Sequence, residues 1–228
     1  MIIITGASRG IGRFLFEEFS LQGENVVGTY NSTSYAGAEP SCMYKVDISD
    51  SAEVEGFLLK IKDNMQQIIL INSAGANYSG FAHKADIESW RKIVDVNLVG
   101  TFNVIHHVLK FMRDQNYGRI INFSSVVAQI GIPGTSAYAA SKAGLWGLSK
   151  AIAAENASKG ITINTLNLGY FNIGMINQVS NEMQEGIKAK IPVGHEFGNP
   201  SNIYQAIRFI INSDYLTGAS IDINGGLF

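Results

Sequence analysis

Six short apolar runs rich in Ile and Val recur along the chain, at Ile2–Ile4, Asn25–Gly28, Ile68–Asn72, Arg119–Phe123, Ile161–Leu166 and Ser220–Ile223. Runs of this length without polar alternation fit strands buried on both faces, as a parallel sheet between two helical layers requires. Longer segments of helical spacing lie between them: Gly10–Gln22, Ala52–Lys62, Trp90–Asp114, Tyr138–Ser158 and Ser201–Asn212. In the first, Ile11, Phe14, Leu15 and Phe19 make one apolar stripe, and Gly23 stands where a helix ends. Alternation of this kind predicts an α/β doubly wound parallel sheet with helices on both faces. The 228 residues suit a single domain, 1–228, and no linker, repeat or low-complexity tract divides it.

Composition removes several function classes. With 46% hydrophobic and 16% charged residues the chain is globular rather than disordered. A net charge of −2 supplies no electrostatic footprint for a nucleic acid or an anionic membrane. The lone Cys42 has no disulfide partner, which suits a reducing cytosol. His83, His106, His107 and His195 show no ligand spacing, so no metal is expected. MIIITG lacks a basic n-region and reads as a strand rather than a signal peptide, and no apolar stretch has the length of a membrane span. A cytoplasmic protein is the expectation.

In doubly wound sheets ligands bind beyond the carboxyl ends of the strands. ITGASRGIG follows the first run and opens the first helix, with Gly6, Gly10 and Gly12 in the spacing G-x3-G-x-G. Residues without Cβ allow a tight turn and close backbone approach, and the free amides of a helix N-terminus attract a pyrophosphate. The bland alternative is a turn that only packs helix on strand; the strand–turn–helix setting favours a dinucleotide in a Rossmann-type fold. NAD sites carry an acid about 20 residues further on, at the ribose 2′-hydroxyl. GTYNSTS, after the second run, has no acid until Glu39. Arg9, inside the turn, either pairs with a 2′-phosphate or sits solvated at the surface. NADP (NADPH) is favoured over NAD.

Farther along, AYAASKAG sets Tyr138 and Lys142 four residues apart. On a helix that spacing puts two side chains on one face, about 5–6 Å apart. A Tyr with a pKa of about 10 is a poor proton-transfer group near neutrality, and a neighbouring ammonium is expected to lower it. The pair is either an acid/base device or a surface Tyr and Lys on a small-residue helix. Of nine tyrosines only Tyr138 has Lys at this spacing; Tyr204 has Arg208, in a helix that reads as packing. Ser125 lies 13 positions before Tyr138 (138 − 125 = 13), and the adjacent Ser124 competes with it. Strand alternation sends their two hydroxyls in opposite directions.

Thr5–Gly12, Asp47 in VDISD, NSAG at Asn72–Gly75, Asn97 in VDVNLVG, Ser125, the Tyr138–Lys142 pair and YLTGASIDINGG together span nearly the whole chain. Their ordered combination resembles the short-chain dehydrogenase/reductase family, in the single-domain branch that includes the 3-oxoacyl-acyl-carrier-protein reductases. The resemblance implies four catalytic residues, Asn97, Ser125, Tyr138 and Lys142. Tyr138 gives a proton to a carbonyl oxygen as hydride arrives from the nicotinamide, and Lys142 also binds the nicotinamide ribose. Ser125 hydrogen-bonds the substrate oxygen, and Asn97 helps hold a water that reaches Lys142. The cofactor carries the hydride, and the protein supplies position and proton. The resemblance also places Gly6, Ser8, Arg9, Gly10, Ile11, Gly12, Ile48, Asn72, Ala74, Gly75, Gly169 and Phe171 against the nucleotide, with Asp47 at the adenine amino group. It implies a homodimer or homotetramer through the Trp90–Asp114 and Tyr138–Ser158 helices, where Ala139, Ala140, Ala143, Gly144, Gly147 and Ala151 allow close packing.

The chain departs from the family pattern in several places. Leu168 and Ile173 stand where relatives carry the Pro and Thr of PG-x-x-x-T, and Ser73 replaces the second Asn of NNAG. IPVGHEFGNP has His195 in place of an arginine and one added residue. Of two basic positions beside the cleft of carrier-protein reductases, Lys159 fits one and Asn116 holds the other, with Arg113 and Arg119 near. The expected function is NADPH-dependent reduction of a ketone, with a 3-oxoacyl thioester, including a carrier-bound acyl chain, among the candidates. A dehydrogenase of a sugar or other secondary alcohol is one alternative, and a non-catalytic nucleotide-binding regulator another. The stretch from Tyr170 to about Phe197, with Gly174 and Gly186, reads as the substrate loop, either a mobile lid or an irregular surface segment.

Overall fold

The computed structural model describes residues 1–36 and 40–227; Glu39 lies outside them. Seven parallel strands form one sheet in the order β3-β2-β1-β4-β5-β6-β7. They are β1 (Ile2–Thr5), β2 (Val26–Tyr30), β3 (Met43–Lys45), β4 (Ile69–Asn72), β5 (Gly118–Ser125), β6 (Ile161–Leu168) and β7 (Ser220–Ile223). The α-helices are α1 (Gly10–Leu21), α2 (Ser51–Ile61), α3 (Ile87–Val94), α4 (Thr101–Gln115), α5 (Val127–Ile130), α6 (Ser136–Asn156), α7 (Asn181–Lys188) and α8 (Ser201–Ile211). Strand order reverses between β1 and β4, and a cleft for a ligand opens at such a switch point.

Successive residues of a strand face opposite sides, and the core divides accordingly. Ile2 and Ile4 pack with Leu15, Phe16 and Phe19 of α1 and with Ile203 and Ile207 of α8. Ile3, between them, joins Val54 and Phe57 of α2, Val104 and Val108 of α4, and Ile152 of α6. The same split separates Leu70 from Ile71 and Ile120 from Ile121. A strand covered by helices on both faces needs apolar residues at consecutive positions, so its run shows no alternation.

Three features differ from the sequence expectation. β3, an edge strand, is three residues long with only Met43 buried, too short for any period to register. The segment Trp90–Asp114 is not one helix. α3 begins earlier, at Ile87, where the Asp86 carboxylate accepts from Ser89 N at 2.8 Å, and a π-helical segment, Asp95–Gly100, separates it from α4. The buried positions of this wider turn, Asn97 and Gly100, still fall at helical spacing, so a 3.6-residue period passes over it. The 170–197 stretch contains α7, whose N-terminus is capped by the Ser180 hydroxyl accepting from Met183 N. Gly186 inside that helix masked it.

Candidate active site

At the end of β1 the chain enters the glycine turn. Gly6 has φ +68°, and a Cβ there would lie 2.7 Å from Ala74 Cα. A Cβ on Gly12 would lie 2.2 Å from the Gly6 carbonyl oxygen. Gly6 therefore lets the turn meet the segment after β4, and Gly12 lets α1 dock onto the turn. Thr5 Oγ1, at the end of β1, accepts from Ala74 N at 3.1 Å and joins the same two segments. Ser8 is buried, while Arg9, the N-cap residue of α1, is exposed and makes no side-chain cap. The first turn of α1 has no acid, and the leading amides of Gly10, Ile11 and Gly12 lie at the positive end of the helix dipole. That donor set fits the pyrophosphate of a dinucleotide. Gly174 of the 170–197 stretch approaches the turn closely: a Cβ on it would lie 3.5 Å from Gly10 Cα.

Asp47 follows β3. Partial burial pulls its pKa up, but the Ser49 hydroxyl at 2.6 Å and amide at 2.9 Å, with Asn31 and the charge of Lys92, hold it below the usual carboxylate value. It is a fixed anionic acceptor. Ile48 is buried where Gly100 admits it; a Cβ on Gly100 would lie 2.9 Å from Ile48 Cγ1. Asn72 is turned into the sheet rather than the cleft. Its Nδ2 donates to Asn122 Oδ1 at 2.8 Å, and Asn122 Nδ2 donates in turn to Ser149 Oγ of α6 at 3.0 Å.

Ser125 closes β5, Tyr138 and Lys142 occupy the first two turns of α6, and Asn97 sits in the π-helical segment. The Ser125 hydroxyl accepts from Val127 N at 3.2 Å and lies close enough to the Tyr138 phenol to act on its pKa. Ser124 points away and donates to the Lys142 carbonyl at 2.9 Å, pinning α6 to β5. Of the two serines, Ser125 is the one whose hydroxyl acts on the Tyr138 phenol. Lys142 is 5% exposed; its Nζ donates to the Phe123 carbonyl at 2.8 Å and lies 5.8 Å from the centre of the Tyr138 ring. Asn97, fully buried, accepts from Ala76 N at 2.8 Å and donates to Ala76 O at 2.9 Å and to Ser141 Oγ at 3.1 Å. It fastens the loop after β4 to the helix carrying Tyr138. Thr101 Oγ1 donates to the Asn97 carbonyl at 2.8 Å. Gly75 completes the cluster, since a Cβ there would stand 3.3 Å from Asn97 Oδ1 and 3.5 Å from Lys142 Nζ.

Burial pushes the Tyr138 phenol above its usual value; the Ser125 hydrogen bond opposes the rise and the nearby Tyr170 phenol adds to it. Burial brings Lys142 down to about 8. The expectation that the ammonium lowers the Tyr138 pKa is thus reversed: desolvation of the phenolate dominates, and the ammonium is committed to the Phe123 carbonyl. Tyr138 is a protonated donor near neutrality.

Tyr170 and Ser141 belong to this cluster and escaped the motif search. Tyr170 directly follows Gly169 at the carboxyl end of β6, a placement that marks it; nothing in the sequence marks Ser141. The apolar departures have a structural role. Leu168 is buried, and Ile173 packs against the same cluster as buried Phe171. Gly198 N donates to Tyr170 O at 2.9 Å and Asn172 N to Gly198 O at 3.2 Å, so the start of the 170–197 stretch is tied to its end. Val193 N donates to Gly225 O at 3.0 Å.

Of the two arginines near the carrier-protein positions, Arg119 is withdrawn from the surface and Arg113 stays exposed. Arg119 is buried and donates to the carbonyls of Gly118, Gly160 and Ile211, and Arg113 Nη1 donates to Asn156 Oδ1 at 2.7 Å. Asn116 adopts the left-handed conformation, φ 49°, that ends α4. The small residues of α6 divide: Gly144 packs on Leu98 of the same chain, whereas Ala140, Gly147 and Ala151 face outward.

Among the described residues no helix is long and apolar enough to cross a membrane. The chain matches the family model for short chain dehydrogenases over residues 1–184. It is 35% identical over 237 residues to the 3-oxoacyl-[acyl-carrier-protein] reductase FabG of Haemophilus influenzae, covering 99% of this chain and 97% of that protein. The FabG reductase of Escherichia coli is 35% identical over 236 residues, 99% and 96% of the two chains. An acetoacetyl-CoA reductase of Shinella zoogloeoides is 36% identical over 236 residues, 99% and 97% of the two chains. With a parallel seven-stranded Rossmann-type sheet and matches along nearly its whole length, the chain belongs to the short-chain dehydrogenase/reductase family, oxidoreductases that interconvert CH–OH and C=O groups with an NAD(P)-type nucleotide.

Proposed function

We propose that this protein is an NADPH-dependent reductase that converts the ketone of a 3-oxoacyl thioester to a secondary alcohol. The observation that carries the proposal is the meeting of the Ser125 hydroxyl, the protonated Tyr138 phenol and the buried Lys142 ammonium beyond the glycine turn. The nucleotide, when bound, supplies the hydride. Tyr138 donates the proton to the reacting oxygen, and Ser125 holds that oxygen. Lys142 binds the ribose and, with Asn97, supports proton supply. The thioester class is common to the names of the 3-oxoacyl-carrier-protein and acetoacetyl-CoA reductases among its relatives. Because Arg119 is buried and committed to backbone carbonyls, carrier-protein docking rests on Lys159 and the exposed Arg113 rather than on Arg119. Arg9, exposed at the turn, and Asn31, in place of an acid after β2, support NADPH over NADH. The outward small residues of α6, with Val99 and Phe102 exposed at 43% and 44%, support assembly as a homodimer or homotetramer. We place the enzyme in the cytoplasm.

A panel of 3-oxoacyl thioesters, simple ketones and sugars, followed by NADPH absorbance, tests the reading. Turnover is expected with thioesters and NADPH, with weaker binding of NADH. A preference for NADH would remove Arg9 from the cofactor argument, and turnover confined to sugars would replace the substrate class.

The buried lysine sets a pH limb. Its ordinary value is 10.5 and the fold holds it at about 8, so the ammonium is fully present below that value and is lost as pH rises through it. The kcat/KM for NADPH is expected to be flat on the acid side and to fall about tenfold per pH unit on the alkaline side. A flat profile across the same window would show that the ammonium is dispensable. Stability moves the other way: between about 8 and 10.5 the unfolded chain binds more protons at this residue, so its contribution to stability rises with pH.

A further inference from the structure

Asn167 of β6 and Asp222 of β7 are register neighbours. Asn167 is 2% exposed; its Nδ2 donates to Asp222 Oδ1 at 2.6 Å, and its Oδ1 accepts from Trp146 Nε1 at 2.8 Å. The same Asp222 oxygen accepts from Gln129 Nε2 at 2.9 Å. Gln129 belongs to α5, which opens two residues after Ser125. One helical turn has too few internal bonds to hold its own place. Besides its packing on α6, two hydrogen bonds tie it from outside, the Gln129–Asp222 bond and a bond from Val126 N to Leu168 O at 2.9 Å. The first amide of α5, Val127 N, donates to Ser125 Oγ, so the attitude of α5 sets where that hydroxyl points. On the other side, Trp146 lies one turn beyond Lys142 on α6. One carboxylate oxygen thus joins the turn that aims Ser125 to the helix that carries Tyr138 and Lys142.

We propose that Asp222, acting through Gln129 and Asn167, is a positioning residue that holds the Ser125 hydroxyl in line with the Tyr138 phenol. The proposal rests on the roles given above to Ser125 and Tyr138. Hydrogen bonds to an ionised acceptor are shorter and stronger than neutral ones, which suits an acceptor shared by two amides. Rate depends steeply on alignment at the reacting atom, so a small swing of α5 is felt in kcat.

Asp222→Ala and Gln129→Ala are each expected to lower kcat on a 3-oxoacyl thioester about tenfold while leaving the Kd of NADPH unchanged. The double variant falls no further than Asp222→Ala, because the two residues act through one bond. Asp222→Asn keeps an oxygen for both amides and holds kcat within about threefold of wild type. A second measurement does not depend on turnover. The amides of Ile130 and Gly131 close α5 onto Val126 O at 3.0 Å and Val127 O at 3.2 Å. Their hydrogen exchange is expected to quicken in both alanine variants and not in Asp222→Asn. Unchanged exchange in Gln129→Ala, or kcat losses that multiply in the double variant, overturns the proposal. A wild-type protein inactive on the thioesters, with faster exchange in the variants, would fault the proposed reaction and uphold the tie.

Discussion

Tyr138→Phe is expected to lower kcat by about 10²–10⁴-fold, the contribution of a positioned proton donor, with NADPH affinity retained. The change removes one oxygen and leaves the ring against which Lys142 Nζ sits at 5.8 Å. The phenol is protonated because burial opposes its ionisation, so at neutral pH it has a proton to give and no competing role as a base. Ser125 cannot substitute, since an alcohol hydroxyl hydrogen-bonds the developing oxyanion without transferring a proton to it. Steady-state kcat measured beside NADPH binding by fluorescence separates the two functions. A variant with kcat within about fivefold of wild type would remove Tyr138 from the proton path.

Gly12→Ala is expected to weaken NADPH binding at least about tenfold and to destabilise the fold by about 1–3 kcal/mol, the usual range for overpacking. The added Cβ would stand 2.2 Å from Gly6 O and 2.9 Å from Gly6 C, both backbone atoms that cannot rotate away. Relief requires α1 to shift as a body. That shift lifts Leu15, Phe16 and Phe19 from the sheet and moves the Gly10–Gly12 amides off the phosphate position. Gly56→Ala is the control: it lies in α2, a Cβ there meets nothing within 4 Å, and the substitution raises helix propensity. Thermal unfolding and NADPH titration of both variants check the pair. Equal behaviour of Gly12→Ala and Gly56→Ala would show that the turn tolerates a side chain.

Much of the fold was legible because a two-sided parallel sheet leaves a local trace. Ile2, Ile3 and Ile4 are consecutive since alternate side chains enter different helical layers, and the six apolar runs all became strands. β3 left no such trace, because an edge strand of three residues with one buried side chain needs no run. The π-helical segment at Asp95–Gly100 was equally silent, since hydrogen-bond register changes there while the buried positions, Asn97 and Gly100, keep helical spacing.

The candidate site divides along the same line. Sequence spacing alone put Tyr138 and Lys142 on one helical face and named the glycines of the turn, because both depend on a few adjacent backbone positions. Strand alternation also anticipated that Ser124 and Ser125 diverge, and the bond from Ser124 to the Lys142 carbonyl realises it. The sign of the Tyr138 shift was not readable, since it depends on how much protein covers the phenol rather than on which charge lies four residues away. Nor was the burial of Arg119, whose carbonyl partners come from the β5, β6 and α8 regions. Local sequence determined the strands, the turn and the Tyr138–Lys142 pairing, because those are set by short-range geometry. Tertiary structure alone decided protonation, the burial of Arg119 and the Asn167–Asp222–Gln129 tie, because solvent exclusion and long-range hydrogen bonds join segments that are neighbours only after folding.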